Sequence, residues 1–396
     1  MNSKLRAWWF HRQGLDGSCD GQTAAQVFQC RGWARGVGGA NPYLSVFARS
    51  GRSRSAVDQE LAQLDILELP SARGCTYVLP ANDFAVGLLA GGDGASQAAR
   101  QTARKFLGFG DEDLAVLNLA ILGALKRGPM DPIELKKELG DAVRHFGDEG
   151  KKRGQTTSLS LGLGALQAEG KIRRVSMDGR LDGERYKYAL WSPGPLESPR
   201  VTPEEAWSEL AACFFMWGGP ATVAQFQWFS GLGVKAAKDL VAPLDLAEVA
   251  PGYRIMKSDL AAFEAFEIPR SEQIALLSPL DSLVLLKRNG DELMDPVDAD
   301  RMMASGKGLK SGAGLSDIIA HLIVDRGRII GIWEFDPEAG KIVSQVWVDR
   351  SKAIEDAIAR TESFIKTDLG DCRSHSLDSP KSRRPMLDWL AANPGV

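Results

Sequence analysis

The sharpest alternation of apolar and polar positions runs from Gln155 to Trp191. Leu159, Leu163 and Leu166 recur at i, i+4 and i+7, which predicts a helix over 156–168 with one buried face, stopped at Gly170. Ile172, Val175, Tyr186, Tyr188 and Leu190 then fall in two strand-like runs around an Asp- and Gly-rich turn. Upstream, Leu114, Leu117, Ile121 and Leu125 mark one face of a helix over 114–126, and Pro132 opens a short helix closed by Gly140. Helix, helix, helix, hairpin is the order of a winged helix.

The same order is predicted twice more. Helices over 21–34, 43–49 and 55–63 precede strands over 65–69 and 75–79, and 81–106 reads as one or two linking helices. Thr202 and Glu205 have capping-box spacing at the start of a helix over 203–216. Helices over 221–229 and 234–241 follow, then strands 246–250 and 253–256 around Pro251-Gly252. Past residue 270 the pattern changes to three strands, 318–325, 328–335 and 342–348, with a helix over 351–366 to cover them. The predicted class is α+β: three tandem winged-helix modules followed by a C-terminal antiparallel β-meander with a covering helix. The expected divisions are 1–106, 107–192, 200–262 and 270–368, then a polar tail, 369–396, loosely ordered at least in part.

A chain of 396 residues with 44% hydrophobic and 25% charged residues suits a globular protein holding two to four domains' worth of core. The net charge of −3 excludes a surface coated in positive charge, so nucleic-acid binding has to come from a local patch. The window 144–187 provides one, with ten Lys/Arg against six Asp/Glu. In a winged helix the third helix enters a major groove and the wing touches the backbone. That makes Lys151, Lys152, Arg153, Gln155, Thr156, Thr157 and Ser158, with Arg173, Arg174, Arg180 and Arg185 of the hairpin, the candidate contacts to double-stranded DNA. The competing reading uses the module only to pack against protein.

Other chemistry is thinner. Five scattered cysteines without a CxxC, and four histidines without ligand spacing, indicate neither a metal site nor a disulfide framework. GKGLKSGAG at 306–314 lacks phosphate-loop spacing, so no nucleotide cofactor, and no cofactor of any kind, is expected. No signal-peptide core and no run approaching the roughly 20 apolar residues of a membrane span is present, so the expected setting is the cytoplasm, without a membrane partner, as a monomer. KLRAWWFHRQ at 4–13 could clamp a nucleic-acid strand, but docking its aromatics in a core is the favoured reading. Asp281, inside the apolar run LLSPLDSLVLLKR, reads as a buried carboxylate paired with a base such as Arg288, or as a catalytic carboxylate facing a cleft.

Five stretches carry a family resemblance: Arg12-Gln13-Gly14-Leu15, Thr76–Pro80, Gly219-Pro220-Ala221-Thr222 running on to Phe226–Leu232, Leu276–Arg288, and Gly327–Trp333. On these the chain resembles the tandem winged-helix DNA glycosylases of the AlkZ/YcaQ-like group, which remove alkylated bases and unhook interstrand crosslinks. The resemblance implies duplex binding, presentation of a damaged nucleotide and hydrolysis of its N-glycosidic bond. It also implies a Gln-x-Gln or Gln-x-Asp motif at the end of the first module's first helix. This sequence has Trp33-Ala34-Arg35 there, followed by a longer turn, Gly36–Ala40. Arginine offers no acceptor and the indole N–H only donates, so neither replaces the water-orienting motif. Gln26 and Gln29 lie nearby but in the body of the helix.

Three readings follow. The protein binds duplex DNA in a repair setting without catalysis, Trp33 stacking on a base and Arg35 meeting a phosphate. Or it is a glycosylase with a rearranged site that uses a carboxylate such as Asp281. Or it is a transcriptional regulator, or an interaction protein that binds no DNA.

Overall fold

The computed structural model describes residues 3–288, 290–305, 308–312 and 318–395. Helix, helix, helix, hairpin is found at each of the three expected places. In the first, helices Ala24–Arg31, Asn41–Ser50 and Arg54–Gln63 precede the hairpin of Ile66–Pro70 with Thr76–Pro80. Thr23 and Gln26 close a capping box on the first of these helices. A two-residue strand, Ala34–Arg35, adds to the hairpin: Ala34 pairs with Val78 and Arg35 with Tyr77. The small sheet that results is buried on both faces. Ala34, Ile66 and Val78 join one core, and Trp33, Leu67, Leu69, Tyr77 and Leu79 join another.

The second unit holds helices Asp111–Leu125, Pro132–Leu139 and Leu159–Ala168, with a short extra helix, Gly147–Lys152, before the last of them, and the hairpin of Ile172–Ser176 with Tyr186–Leu190. It builds a core of its own from residues such as Leu117, Ile121, Leu135, Leu163, Leu166 and Ile172. The third holds helices Pro203–Gly218, Val223–Ser230 and Val234–Val241 and the hairpin of Leu246–Ala250 with Tyr253–Met256. Thr202 and Glu205 close the expected capping box. Its Phe214, Phe215, Trp217 and Phe226 pack on the first unit's sheet, so those two share a core.

The C-terminal sheet has four antiparallel strands, in the order Lys341–Val346, Arg328–Asp336, His321–Asp325, Ile274–Leu277. The last was not expected, because it sits in a run too uniformly apolar to show alternation. Helix Lys352–Phe364 contributes Ile354, Ile358 and Phe364 to the core shared with the first unit.

The tail corrects the expectation of loose order. Residues Pro380–Ala392 form a helix capped by Ser379, and it buries Leu387 and Leu390. Its buried Arg383 pairs with Asp371 at 2.7 Å and Asp378 at 3.3 Å, which ties the segment down. The N-terminal aromatics are core: Trp8 and Trp9 are buried and donate to the carbonyls of Gly219 and Pro220 at 3.0 and 2.9 Å. Of the glycine-rich run 306–314, Gly308–Ser311 pairs with Met302–Ser305 as a hairpin, while 306–307 and 313–314 lie outside the described residues. No helix among the described residues is long and apolar enough to cross a membrane.

Candidate nucleotide cleft and nucleic-acid surface

Trp33 and Arg35, the pair expected at the family motif position, part company. Trp33 is only 2% exposed; its indole N–H donates to Asp83 at 2.8 Å and its ring meets Tyr77 and Trp217. It cannot stack on a base, and that expectation is corrected: the small sheet is covered on this face by the third unit's helices. Burial pushes the Asp83 carboxyl up to about 6, against the pull of the Trp33 hydrogen bond. Gln26 is likewise committed, since its amide oxygen accepts from the Thr23 N–H at 3.0 Å as part of the cap.

Arg35 reaches the surface. Its guanidinium donates to the Thr76 carbonyl at 2.7 Å and lies over the Tyr77 ring at 5.1 Å. It lines a cleft of about 650 Å³ with Glu68, Arg174, Tyr186, Glu184, the turn Gly36–Gly38 and the segment His375–Leu377. Three parts of the chain meet here: the first unit's sheet, the second unit's hairpin and the tail.

Glu68 is the residue that sequence reasoning missed. A charged side chain at an alternate position of a strand reads as a solvent-facing residue. In the structure Glu68 pairs with Val78 and sits against the glycine turn, where a Cβ on Gly36 would come within 2.6 Å of its Oε1. Its side chain is 20% exposed, and Arg174 approaches its other oxygen at 3.5 Å. Burial raises the Glu68 carboxyl above the ordinary range, opposed by the positive charges of Arg174 and Arg35. Arg174 also lies over the Tyr186 ring at 4.4 Å, and Glu68 holds its guanidinium above the ordinary range against the opposing effect of burial.

Asp281 is not a cleft residue. It is 0% exposed and takes a two-pronged ion pair from Arg49, with both N···O distances 2.8 Å. Ser45 donates to it at 3.2 Å and the Leu283 N–H at 2.9 Å. Its partner is therefore Arg49 of the first unit rather than the expected Arg288. Gln13 completes the junction, accepting from Arg49 at 2.9 Å and from Ser282 at 2.6 Å.

Two other reactive-looking groups are sealed. Lys287, lowered by burial to about 7, is 1% exposed, lies over the Trp9 ring and donates to the Gly218 and Pro220 carbonyls. Cys372, His321 and Glu334 form a chain, but the thiol is fully buried and burial pushes it well up.

The predicted DNA contacts also separate. The helix expected to enter a groove is enclosed: Leu159, Leu161, Gly162, Leu163, Ala165, Leu166, Gln167 and Ala168 are all buried. Gln155 is buried and donates to the Ala99 carbonyl at 2.9 Å, and buried Ser158 accepts from the Arg144 N–H at 3.0 Å. These two, and the major-groove role of their helix, are corrected. The helix takes part in the contact between the second unit and Gly94–Phe106, so the face that would read DNA is used in packing. Thr156 is exposed and Thr157 half-buried. Lys151, Lys152 and Arg153 are at the surface, paired along their own short helix with Asp148 and Glu149, and Arg153 lies over Phe106 at 3.6 Å. Arg173 is half-buried, Arg185 is exposed, and Arg180 is held by both oxygens of Asp182 at 2.7 and 2.6 Å.

Small antiparallel sheets in a mainly helical chain make up a fold that is already known. The fold matches the Streptomyces sahachiroi DNA glycosylase AlkZ with a TM-score of 0.69 at 17% identity, over 91% of this chain and 96% of that one. A family model described as DNA glycosylase AlkZ-like matches residues 25–364, and the chain belongs to the AlkZ-like DNA glycosylase family. No curated relative matches it in sequence.

Proposed function

We propose that this protein binds duplex DNA through tandem winged-helix modules, acting as a monomer, and takes a damaged nucleotide into the cleft of Arg35, Glu68 and Arg174. There it hydrolyses the N-glycosidic bond. The observation that carries this reading is Glu68, a partly exposed carboxylate in the same cleft as Arg35 and the glycine turn that stand in place of the family motif. A carboxylate accepts hydrogen bonds at both oxygens, so it can orient a water as the absent glutamines would, and its charge stabilises a sugar cation. The C1′–N bond breaks and its electron pair stays on the base, neutralising a cationic alkylpurine. The water oxygen attacks C1′ and its proton passes to Glu68. Arg174 fixes the carboxylate, and Arg35 lies where a flanking phosphate would be met.

A second reading has one observation in its favour: Glu68 already has an arginine partner, and the Gln-x-Gln/Asp motif is replaced. In that reading the cleft holds a damaged nucleotide without cleaving it. Base release from an N7-methylguanine duplex at excess protein separates the two. Release by the wild type, reduced about 10²–10⁴-fold in Glu68→Ala with duplex binding retained, is the expected result. Glu68→Gln should fall between, since it keeps the acceptor and loses the charge. Salt-sensitive duplex binding with no release would establish the non-catalytic reading for this lesion.

A further inference from the structure

We infer that Leu377 is a wedge that enters the base stack when a nucleotide leaves the duplex for the cleft. The inference rests on the reading of that cleft as a nucleotide site. Leu377 lies on the cleft's rim with His375 and Ser376, and it is 83% exposed. An isolated exposed leucine is ordinary on a protein surface. This one differs in how its backbone is held.

It sits at the tip of a turn in which the Asp378 N–H donates to the His375 carbonyl at 3.0 Å. Asp378 is buried, accepts from the Ser374 N–H at 2.8 Å and pairs with Arg383. Ahead of the turn, the Arg373 carbonyl accepts from the Ala40 N–H at 2.7 Å, and the Ser376 N–H donates to the Val37 carbonyl at 2.9 Å. The Arg373 guanidinium reaches the Asp182 carbonyl at 2.6 Å and the Glu184 carboxylate. The turn is therefore tied to the glycine turn, to the second unit's hairpin and to its own following helix. The lengthened turn Gly36–Ala40 has its explanation here. A Cβ on Gly39 would lie 2.6 Å from the Arg373 carbonyl oxygen, so the segment passes only over glycine.

An apolar side chain on a braced tip, beside a cleft lined by two arginines, suits one task in duplex chemistry. Extruding a nucleotide leaves a gap between base pairs, and proteins that open DNA fill such gaps with residues like leucine. The occupant is then the interior of a duplex, not a protein: the leucine shares its cleft with Arg35 and Arg174, which suit phosphates. The segment also lies beyond residues 25–364, the extent of the family match.

The test uses full-length protein and a duplex with 2-aminopurine beside N7-methylguanine, read by fluorescence at saturating protein. Glu68→Ala serves as the background, so that cleavage does not enter the signal. The expected result is a fluorescence rise that falls about tenfold with the added Leu377→Ala and is restored by Leu377→Met, while duplex affinity changes little. An equal rise with and without Leu377 overturns the wedge, and so does no rise at all on the Glu68→Ala background. A normal rise without base release by the wild type sinks the catalytic reading and leaves the wedge standing. Loss of duplex binding in Leu377→Ala, not restored by Leu377→Met, would make Leu377 a fold element and also overturns it.

Discussion

Asp281 and Glu68 are both carboxylates joined to an arginine from a distant part of the chain, and they do opposite things. Asp281 is saturated: Arg49 grips both oxygens, a serine and a backbone N–H take further lone pairs, and the side chain is fully buried. Glu68 is underused: one arginine stands 3.5 Å away and part of the side chain opens to a cleft. A carboxylate with every acceptor site filled holds a junction together, and one with sites to spare can take a ligand. The difference teaches that burial in an apolar sequence run, which drew attention to Asp281, points toward structure when the partner is buried with it.

The comparison is broken most directly at Asp281. Asp281→Ala leaves the Arg49 guanidinium buried without a counter-charge, which costs about 3–5 kcal/mol. Chemical denaturation should show that loss, while base release per folded molecule stays at the wild-type level. A stability change below about 1 kcal/mol would mean that water or neighbours take over the pairing and the junction is not sealed.

Asp83 lies between the two cases, buried with one neutral donor, Trp33. Its folded-state carboxyl sits at about 6, above the ordinary value, so the native state holds this proton more tightly than the unfolded chain does. The stability this contributes is present at low pH and is lost as pH rises through about 6. Above that pH the buried charge persists as a penalty of up to about 3 kcal/mol, from 1.36 kcal/mol per unit. Asp83→Asn keeps an acceptor for Trp33 and removes the charge. It should raise stability at pH 8 and lose that advantage progressively from about pH 6 down to about pH 4, in melts taken from pH 8 to pH 4. A stability difference independent of pH would show that Asp83 is not the titrating group.

Much of the architecture could be read from the chain because local signals agree with the fold. Pro132, the Thr202–Glu205 box and the period of 114–125 set helices that the structure places within a few residues. Ala34–Arg35 is too short to show a period, and Ile274–Leu277 is hidden in an unbroken apolar run. The helix Pro380–Ala392 carries its apolar residues late in a stretch that begins polar, which made it look like a loose end. The cleft was illegible for another reason. Glu68, Arg174 and His375 lie far apart in the chain and acquire meaning only where the hairpin and the tail cross the glycine turn. Trp33 and the second unit's groove-facing helix failed for the same cause: packing between units covered faces that one unit alone would leave open.

The smallest effect tests what the second unit still offers to DNA once that helix is enclosed. Lys151, Lys152 and Arg153 remain at the surface, and their pairs with Asp148 and Glu149 are short-range and exposed, worth at most about 0.5 kcal/mol each. Changing all three to Ala should therefore leave the melting curve almost unmoved. Each phosphate contact contributes about 0.9 to the slope of log K against log salt. Arg153 is held by Glu149 and Phe106, so the slope should fall by about the value for the two lysines, near 2. An unchanged slope would remove this run from the DNA surface. The positive charge that the duplex meets would then have to come from the cleft itself, from Arg35 and Arg174 and from the exposed Arg185 of the same hairpin.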